Sequence, residues 1–252
     1  MSTKISAASA VSTLSDSYAL PLSTGGSSAN KVTVSTLAQY AAKYAANIGV
    51  IISHKTVSQT ALRVQDLARY LDSLYGSYDV LGLVIPSGST RLVVALDEPD
   101  DTMYWSSSST LYGTAITSAR KAVEDFDGEG HAEAAAALTD TDYAMGYCNS
   151  YSKEGDMGNG IPSGSWWLPS CGELVSILLN YEAINFALTA LSSLGVTTTT
   201  LTRAYYWSSS EFSSSYAWNV GLTNGYVRYY SKTSYSNRVR PVSAYQDMVS
   251  IS

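Results

Sequence analysis

Residues 204–242 read AYYWSSSEFSSSYAWNVGLTNGYVRYYSKTSYSNRVRPV. From Trp218 the side chains alternate, with Trp218, Val220 and Leu222 on one side and Asn219, Gly221 and Thr223 on the other, the period of a half-buried strand. Asn224-Gly225 then reads as a hairpin turn of type I′, whose two central residues both need positive φ. Such a turn pairs Thr223 with Tyr226, Leu222 with Val227, Gly221 with Arg228, Val220 with Tyr229 and Asn219 with Tyr230. One face is then apolar, with Trp218, Val220, Leu222 and Val227, and parity puts Tyr229 there too. The other carries Asn219, Gly221, Thr223, Tyr226, Arg228 and Tyr230. Rigid amphipathic rings beside a cation and small adaptable groups are the chemistry of a recognition surface. Tyr is also a good strand former, so density decides: Tyr205, Tyr206, Tyr216, Tyr226, Tyr229, Tyr230 and Tyr235 crowd this stretch.

Outward from this stretch, composition narrows the classes. Only 14% of the 252 residues are charged and the net charge is −6, so nothing offers nucleic acid an electrostatic footprint. The first residues lack an apolar signal-peptide core, and no run approaches the roughly 20 apolar residues that span a bilayer. The expectation is a protein made in the cytoplasm without a signal peptide and without membrane insertion. Cys148 and Cys171 make neither a disulfide framework nor a Cys-x-x-Cys motif and read as structural, reduced thiols.

Residues 1–50 read as an attachment or oligomerisation segment, with Val34, Leu37, Ala38, Ala41 and Ala45 at helical spacing behind a possible Ser35 N-cap. A leader helix lying on the main domain is the alternative. Residues 51–77 read as a connecting helix, since Val57 to Tyr75 places Leu62, Leu67, Leu71 and Leu74 near one stripe before Gly76. The main domain then runs 78–252. It opens with strands at Val80–Ile85 and Arg91–Leu96 and continues with helical stretches at Thr117–Val123, Ala132–Leu138 and Ala144–Tyr151. A helix from about Gly172 to Ala183 has Ser170 and Glu173 as its capping box, with a continuation or second helix over Tyr181–Leu191.

Candidate chemistry in that domain is thin. Asp97, Glu98, Asp100 and Asp101 read as a surface loop. Asp125-Phe-Asp127-Gly-Glu129 opens like an EF-hand, but Ala136 stands where its bidentate Glu belongs. His54 and His131 lack triad or zinc spacing and read as surface residues. No catalytic set, metal site or cofactor is expected.

Trp166-Trp167-Leu168-Pro169-Ser170 with Glu173-Leu174, then Tyr206-Trp207-Ser208-Ser209-Ser210-Glu211, Ala217-Trp218 and Arg238-Val239-Arg240-Pro241-Val242 occur in that order. Together they resemble bacterial and phage domains of C-type lectin fold, over about Tyr78 to Tyr245, with Tyr104-Trp105-Ser106-Ser107 as an early strand. In that group these motifs are core and turn signatures. The resemblance implies an α+β, C-type-lectin-like domain with short antiparallel strands and two or more helices, preceded by a helical attachment segment. Formylglycine-generating oxidases share the fold but need a reactive cysteine pair, which the contexts of Cys148 and Cys171 do not resemble, so no enzyme is expected.

The C-terminal stretch is also similar to the variable proteins of diversity-generating retroelements, including phage tail proteins that determine host tropism. There, adenines in Asn-type template codons are randomised, which reaches Tyr, Ser, Asn, Thr, Gly, Ala, Phe and Arg but not Trp, Glu, Lys, Gln or Met. Trp207, Glu211, Trp218 and Lys232 are therefore expected to be scaffold. The expected ligand-binding residues are Tyr205, Phe212, Ser214, Ser215, Tyr216, Gly221, Thr223, Tyr226, Arg228, Tyr230, Ser231, Thr233, Ser234, Tyr235 and Ser236. Leu20-Pro21-Leu22 and Asn30–Ala38 are similar to leader segments of phage tail-fibre and baseplate-associated proteins. These likenesses imply a receptor-binding protein of the virion tail, a homotrimer that meets a bacterial surface protein or glycan receptor and joins other phage tail proteins through its N-terminal segment. A bacterial surface adhesin of the same fold and a structural tail component without a diversified site are the rival expectations.

Overall fold

The computed structural model describes residues 19–22, 30–33, 48–54, 57–63, 79–155, 160–193 and 195–245. Strands β1 (Ala19–Leu22) and β2 (Asn30–Thr33) form an antiparallel pair by themselves, Ala19 opposite Thr33. Strands β3 (Gly49–His54) and β4 (Val57–Arg63) form another, and β3 pairs on its other side with β5 (Asp79–Ser87). This corrects the connecting helix expected from residue 51 onward. Val50, Ile51, Ile52, Val57 and Thr60 are β-branched, β5 offers β3 a sheet edge and β3 offers one to β4, so pairing overrides the leucine spacing. The sheet also runs across position 78, where the domain boundary was expected. The helices expected over 34–45 and 64–75 lie outside the described residues.

Strand β5 turns through Gly88 and Ser89 into β6 (Thr90–Val94), with Ser87 opposite Thr90 and Gly88 at φ +56. Strand β7 (Met103–Tyr104) follows, then helices α1 (Ala119–Val123), α2 (Gly128–Ala134) and α3 (Ala144–Ser150). Next come β8 (Trp166–Trp167), α4 (Cys171–Leu179) and α5 (Tyr181–Ser193). The chain closes with β9 (Tyr205–Glu211), β10 (Tyr216–Gly221), β11 (Val227–Ser231), β12 (Ser236–Asn237) and β13 (Val242–Ala244). The class is α+β as expected, with antiparallel strand ladders, and the arrangement is compatible with a C-type-lectin-like domain.

The larger sheet has the order β4-β3-β5-β6-β13-β8, so the last strand of the domain is seated beside its early hairpin. The smaller sheet has the order β11-β10-β9, and β12 pairs with β7. Ser170 caps α4 as the sequence indicates: its hydroxyl takes the Glu173 N–H, and Glu173 Oε2 accepts the Ser170 N–H at 2.8 Å. The chain then breaks at Asn180 and α5 leaves at 71°, and no single helix among the described residues is long and apolar enough to cross a membrane.

Both faces of the larger sheet are covered. One carries Leu83, Ile85, Leu92 and Val94 against Leu174, Ile177, Ile184 and Leu188 of α4 and α5, a core that reaches Trp218 and Val220 of β10. The other face carries Leu81, Val84 and Val93 around Trp166. A third cluster holds Trp105, Met145, Cys148, Trp207, Ala217 and Val239. Strand β10 therefore touches one core through Trp218 and Val220 and another through Ala217, so it is buried on both sides. Cys148 and Cys171 are free and buried, as read from the sequence.

Of the two acidic motifs, Asp100, Asp101, Asp127 and Glu129 are exposed and one residue goes inward. Glu98, expected in a surface loop, is buried against Arg240, because Arg240 brings an opposite charge from the far end of the chain. Asp127 caps α2 by accepting the Gly130 N–H.

Candidate functional site

The hairpin that displays the Tyr-rich stretch is built with a longer loop than Asn224-Gly225 alone. Strand β10 meets β11 with Val220 opposite Val227, Asn219 opposite Arg228, Trp218 opposite Tyr229 and Ala217 opposite Tyr230. Gly221 donates its N–H to Tyr226 O and accepts from Gly225 N at 2.8 Å, leaving residues 222–225 as the loop, with Gly225 at φ +71. The register differs from the expected one by two positions. Leu222 is the cause: it is buried in the main core and its N–H bonds Ala204 O at 2.9 Å, so it cannot extend the ladder. A two-position slip preserves the side on which every residue lies, so the face assignment stands while the partners change.

Strand β11 is the edge of its sheet, and exposed rings gather on both of its sides. On the Trp218 side, Tyr229 stacks on Phe212 with centroids 3.8 Å apart and planes at 8°, and meets Tyr216 edge-on at 5.8 Å. Tyr229 was expected to be ordinary apolar-face packing, but it lies at the rim and is exposed. On the opposite side the Arg228 guanidinium lies 5.0 Å from the Tyr226 ring centroid and 5.9 Å from that of Tyr205. Tyr230 and Tyr235 stack there at 4.6 Å.

The scaffold beneath is polar as well as aromatic. Trp218 Nε1 donates to Ile116 O and Trp207 Nε1 to Met103 O, each at 2.8 Å, so both indoles are paired in their cores. Lys232 is buried with its ammonium 4.5 Å from the Trp105 ring centroid, and it donates to Thr110 O and to Glu211. Glu211 also accepts from the N–H groups of Tyr112 and Gly113. This ion pair ties the ends of the smaller sheet to the loop before α1. Burial pushes the Lys232 ammonium below its usual range, against the pull of Glu211.

Of the expected ligand-binding residues, Ser214, Tyr216, Thr223, Tyr226, Arg228, Ser234, Tyr235 and Ser236 are exposed. Tyr205, Phe212, Ser215, Tyr230, Ser231 and Thr233 are half-buried. Gly221 is buried, and a Cβ there would come within 2.9 Å of the Tyr205 ring, so it serves packing. Ser236 stands apart in the β12–β7 pair, opposite Tyr104. Asn219, expected to face outward, is fully buried because β10 is a central strand.

One constellation was missed. His131, expected on the surface, holds its Nδ1 3.0 Å from Ser209 Oγ and its Nε2 3.6 Å from Asp125 Oδ2. Ser210 Oγ donates to the same Asp125 carboxylate, while Asp125 O accepts from Ser170 Oγ and Gly172 N. Ser209 is only 2% exposed and its hydroxyl holds α2 to β9, while Ser210 Oγ, accepting the Cys171 N–H at 2.9 Å, holds α4 there. The signal was the Ser208-Ser209-Ser210 run, three consecutive hydroxyls that all end up buried in β9. No group of three or more His, Cys, Asp or Glu among the described residues is placed to hold a metal ion.

Neither a family model nor a curated protein matches this sequence. Among solved structures the chain is similar to a fimbrial protein from Bacteroides ovatus, at 21% identity and a TM-score of 0.43. That match covers 61% of this chain and 35% of the fimbrial chain, so this chain spans about a third of the neighbour's length.

Proposed function

We propose that this chain is a ligand-binding protein of a phage or prophage particle that presents β11 and its flanking loops to bacterial surface ligands, with diversifiable residues at the contact. One observation carries the reading. Trp207, Glu211, Trp218 and Lys232, which adenine randomisation cannot reach, are at most 4% exposed, whereas Tyr216, Tyr226, Tyr229 and Tyr235 are 42–54% exposed. The four unreachable residues are thus all in the frame, as a fixed frame carrying a changeable surface requires, while reachable ones lie in both, with Asn219 and Gly221 buried beside them.

Binding rests on burial of the exposed rings, with Arg228 giving direction and Ser hydroxyls adjusting around them. A surface of a few rings binds weakly. Linked copies, three in a trimer, raise avidity by about 10² to 10⁴ when the sites engage together. The N-terminal segment would join the chain to other tail proteins.

The test combines a variant with a sequence search. Replacing Tyr216, Tyr226 and Tyr229 together by Ala is expected to abolish adsorption to host bacteria while the variant stays folded, and retained adsorption overturns the reading. DNA beside the gene is expected to encode a reverse transcriptase and a near-copy of the segment for residues 204–242, differing only at adenines. Lost adsorption without such a copy identifies a fixed adhesive surface and removes the diversification.

A further inference from the structure

We infer that Asn219 and Arg228 together seat a carboxylate-bearing sugar of an acidic polysaccharide, an inference that rests on the binding role proposed above and gives its ligand a chemical class. Asn219 is 0% exposed in the middle of β10, and neither its Nδ2 nor its Oδ1 makes a hydrogen bond among the described residues. A buried amide with both ends unpaired is an unfavourable choice at a position where a Leu of similar size leaves nothing unpaired. Ser87, Asn149, Asn237 and Arg240 each leave one buried atom unpaired; Asn219 leaves its whole amide.

Its position explains what the amide is for. Asn219 pairs with Arg228 on β11 and with Trp207 on β9, so these three side chains are neighbours on one face of the sheet. Toward Ala217 that face runs under the Trp105 cluster and is closed. Toward Gly221 β10 carries no side chain, and the half-buried Tyr205 ring and Asn224 Oδ1 fill the space over the glycine. Directly across from Asn219 stands Arg228, exposed, with no acidic partner among the described residues; beside the Tyr226 and Tyr205 rings, it makes a 3.5 Å contact from Nη1 to Tyr230 Oη. Exposed side chains change rotamer within nanoseconds, so Arg228 is free to turn onto an incoming anion.

The donors and acceptors select the ligand. The guanidinium fork matches a carboxylate through two parallel bonds. Asn219 Oδ1 needs a donor and Nδ2 an acceptor, which a hydroxyl supplies. A uronic acid ring carries a carboxylate and hydroxyls side by side, and Tyr226 and Tyr230, which the guanidinium already touches, offer ring surface beside it. An Asp or Glu side chain provides acceptors only and leaves Oδ1 unpaired.

Calorimetric titration of the full chain with trigalacturonate, with the neutral galactose trimer and with tetraglutamate tests this, with melting temperature as a second readout. Trigalacturonate is expected to bind and the other two to bind at least tenfold more weakly. Arg228→Gln is expected to weaken trigalacturonate binding at least tenfold with melting unchanged, and Asn219→Leu to weaken it as much while raising the melting temperature. Wild-type affinity in either variant overturns the seat, as does a lowered melting temperature in Asn219→Leu, which would mean that the amide is satisfied within the fold. Equal binding of tetraglutamate shows a protein carboxylate as the ligand and overturns the sugar. If wild-type protein adsorbs to bacteria but ignores trigalacturonate, the seat fails while the binding role stands; if the Tyr triple variant still adsorbs, the binding role itself fails.

Discussion

Arg240 and Glu98 meet at 3.1 Å with both side chains completely out of solvent, joining the Arg-Val-Arg-Pro-Val segment to the end of β6. Tyr206 Oη donates to the same carboxylate at 2.9 Å, and Arg240 Nη1 and Nη2 donate to Ala95 O and Thr199 O. Arg240→Met leaves Glu98 buried with the Tyr206 phenol and only the more distant Arg238. The expected loss is about 3–5 kcal/mol of unfolding free energy, read from urea denaturation. A loss below about 1 kcal/mol would show that Arg238, at 3.9 Å, or water takes over.

The capping carboxylate sets a pH dependence. Glu173 accepts from Trp167 Nε1 and Ser170 N, yet burial outweighs these bonds and pushes its pKa up to about 7 from 4.5. Because the folded value is the higher one, its contribution is fully present below about pH 4.5 and is lost as pH rises through 7. Wild-type protein is expected to lose on the order of 3 kcal/mol across that window relative to Glu173→Gln. Chemical denaturation of both proteins at several pH values checks it, and parallel curves would refute it.

Two aromatic residues of the same hairpin are expected to behave oppositely. Trp218→Ala removes a ring from the main core and a hydrogen bond to Ile116, and is expected to cost about 3–5 kcal/mol. Tyr226→Ala removes an exposed ring and is expected to change stability by about 0.5 kcal/mol or less. Thermal melts of the two variants decide whether frame and surface are energetically separate.

The thiols are expected to be silent. Burial pushes Cys148 well above the normal thiol range and Cys171 to about 12, where Asp125 adds to the effect. Native protein at pH 8 should take up no iodoacetamide, and both residues should react in urea. Rapid labelling of Cys171 in the native state would show that α4 opens.

Local signals carried into the structure and non-local ones did not. The Ser170–Glu173 box and the β5–β6 hairpin are encoded within a few residues, and both are found where their motifs lie. The β10–β11 turn was misplaced because a core slot for Leu222 outranks the preference of Asn-Gly for a tight turn. Asn219 read as outward because alternation shows which residues share a side but not that both sides are covered. Glu98 and His131 were misjudged for the same reason: their partners, Arg240 and Ser209, arrive from distant parts of the chain. At the proposed binding surface the residue types are legible in the sequence, while its division onto two sides of one edge strand depends on the order in which strands pair.

That edge position has an evolutionary consequence. A side chain on β11 borders one neighbouring strand, and the exposed Tyr and Arg positions contact solvent more than core. Exchanging such residues typically shifts folding free energy by about 0.5 kcal/mol or less, against a reserve of about 5–15 kcal/mol for an ordinary domain. Several positions can therefore be rewritten at once before the reserve is exhausted. Were these positions diversified as proposed, the chain would sample many surface sequences while each variant melts near its parent.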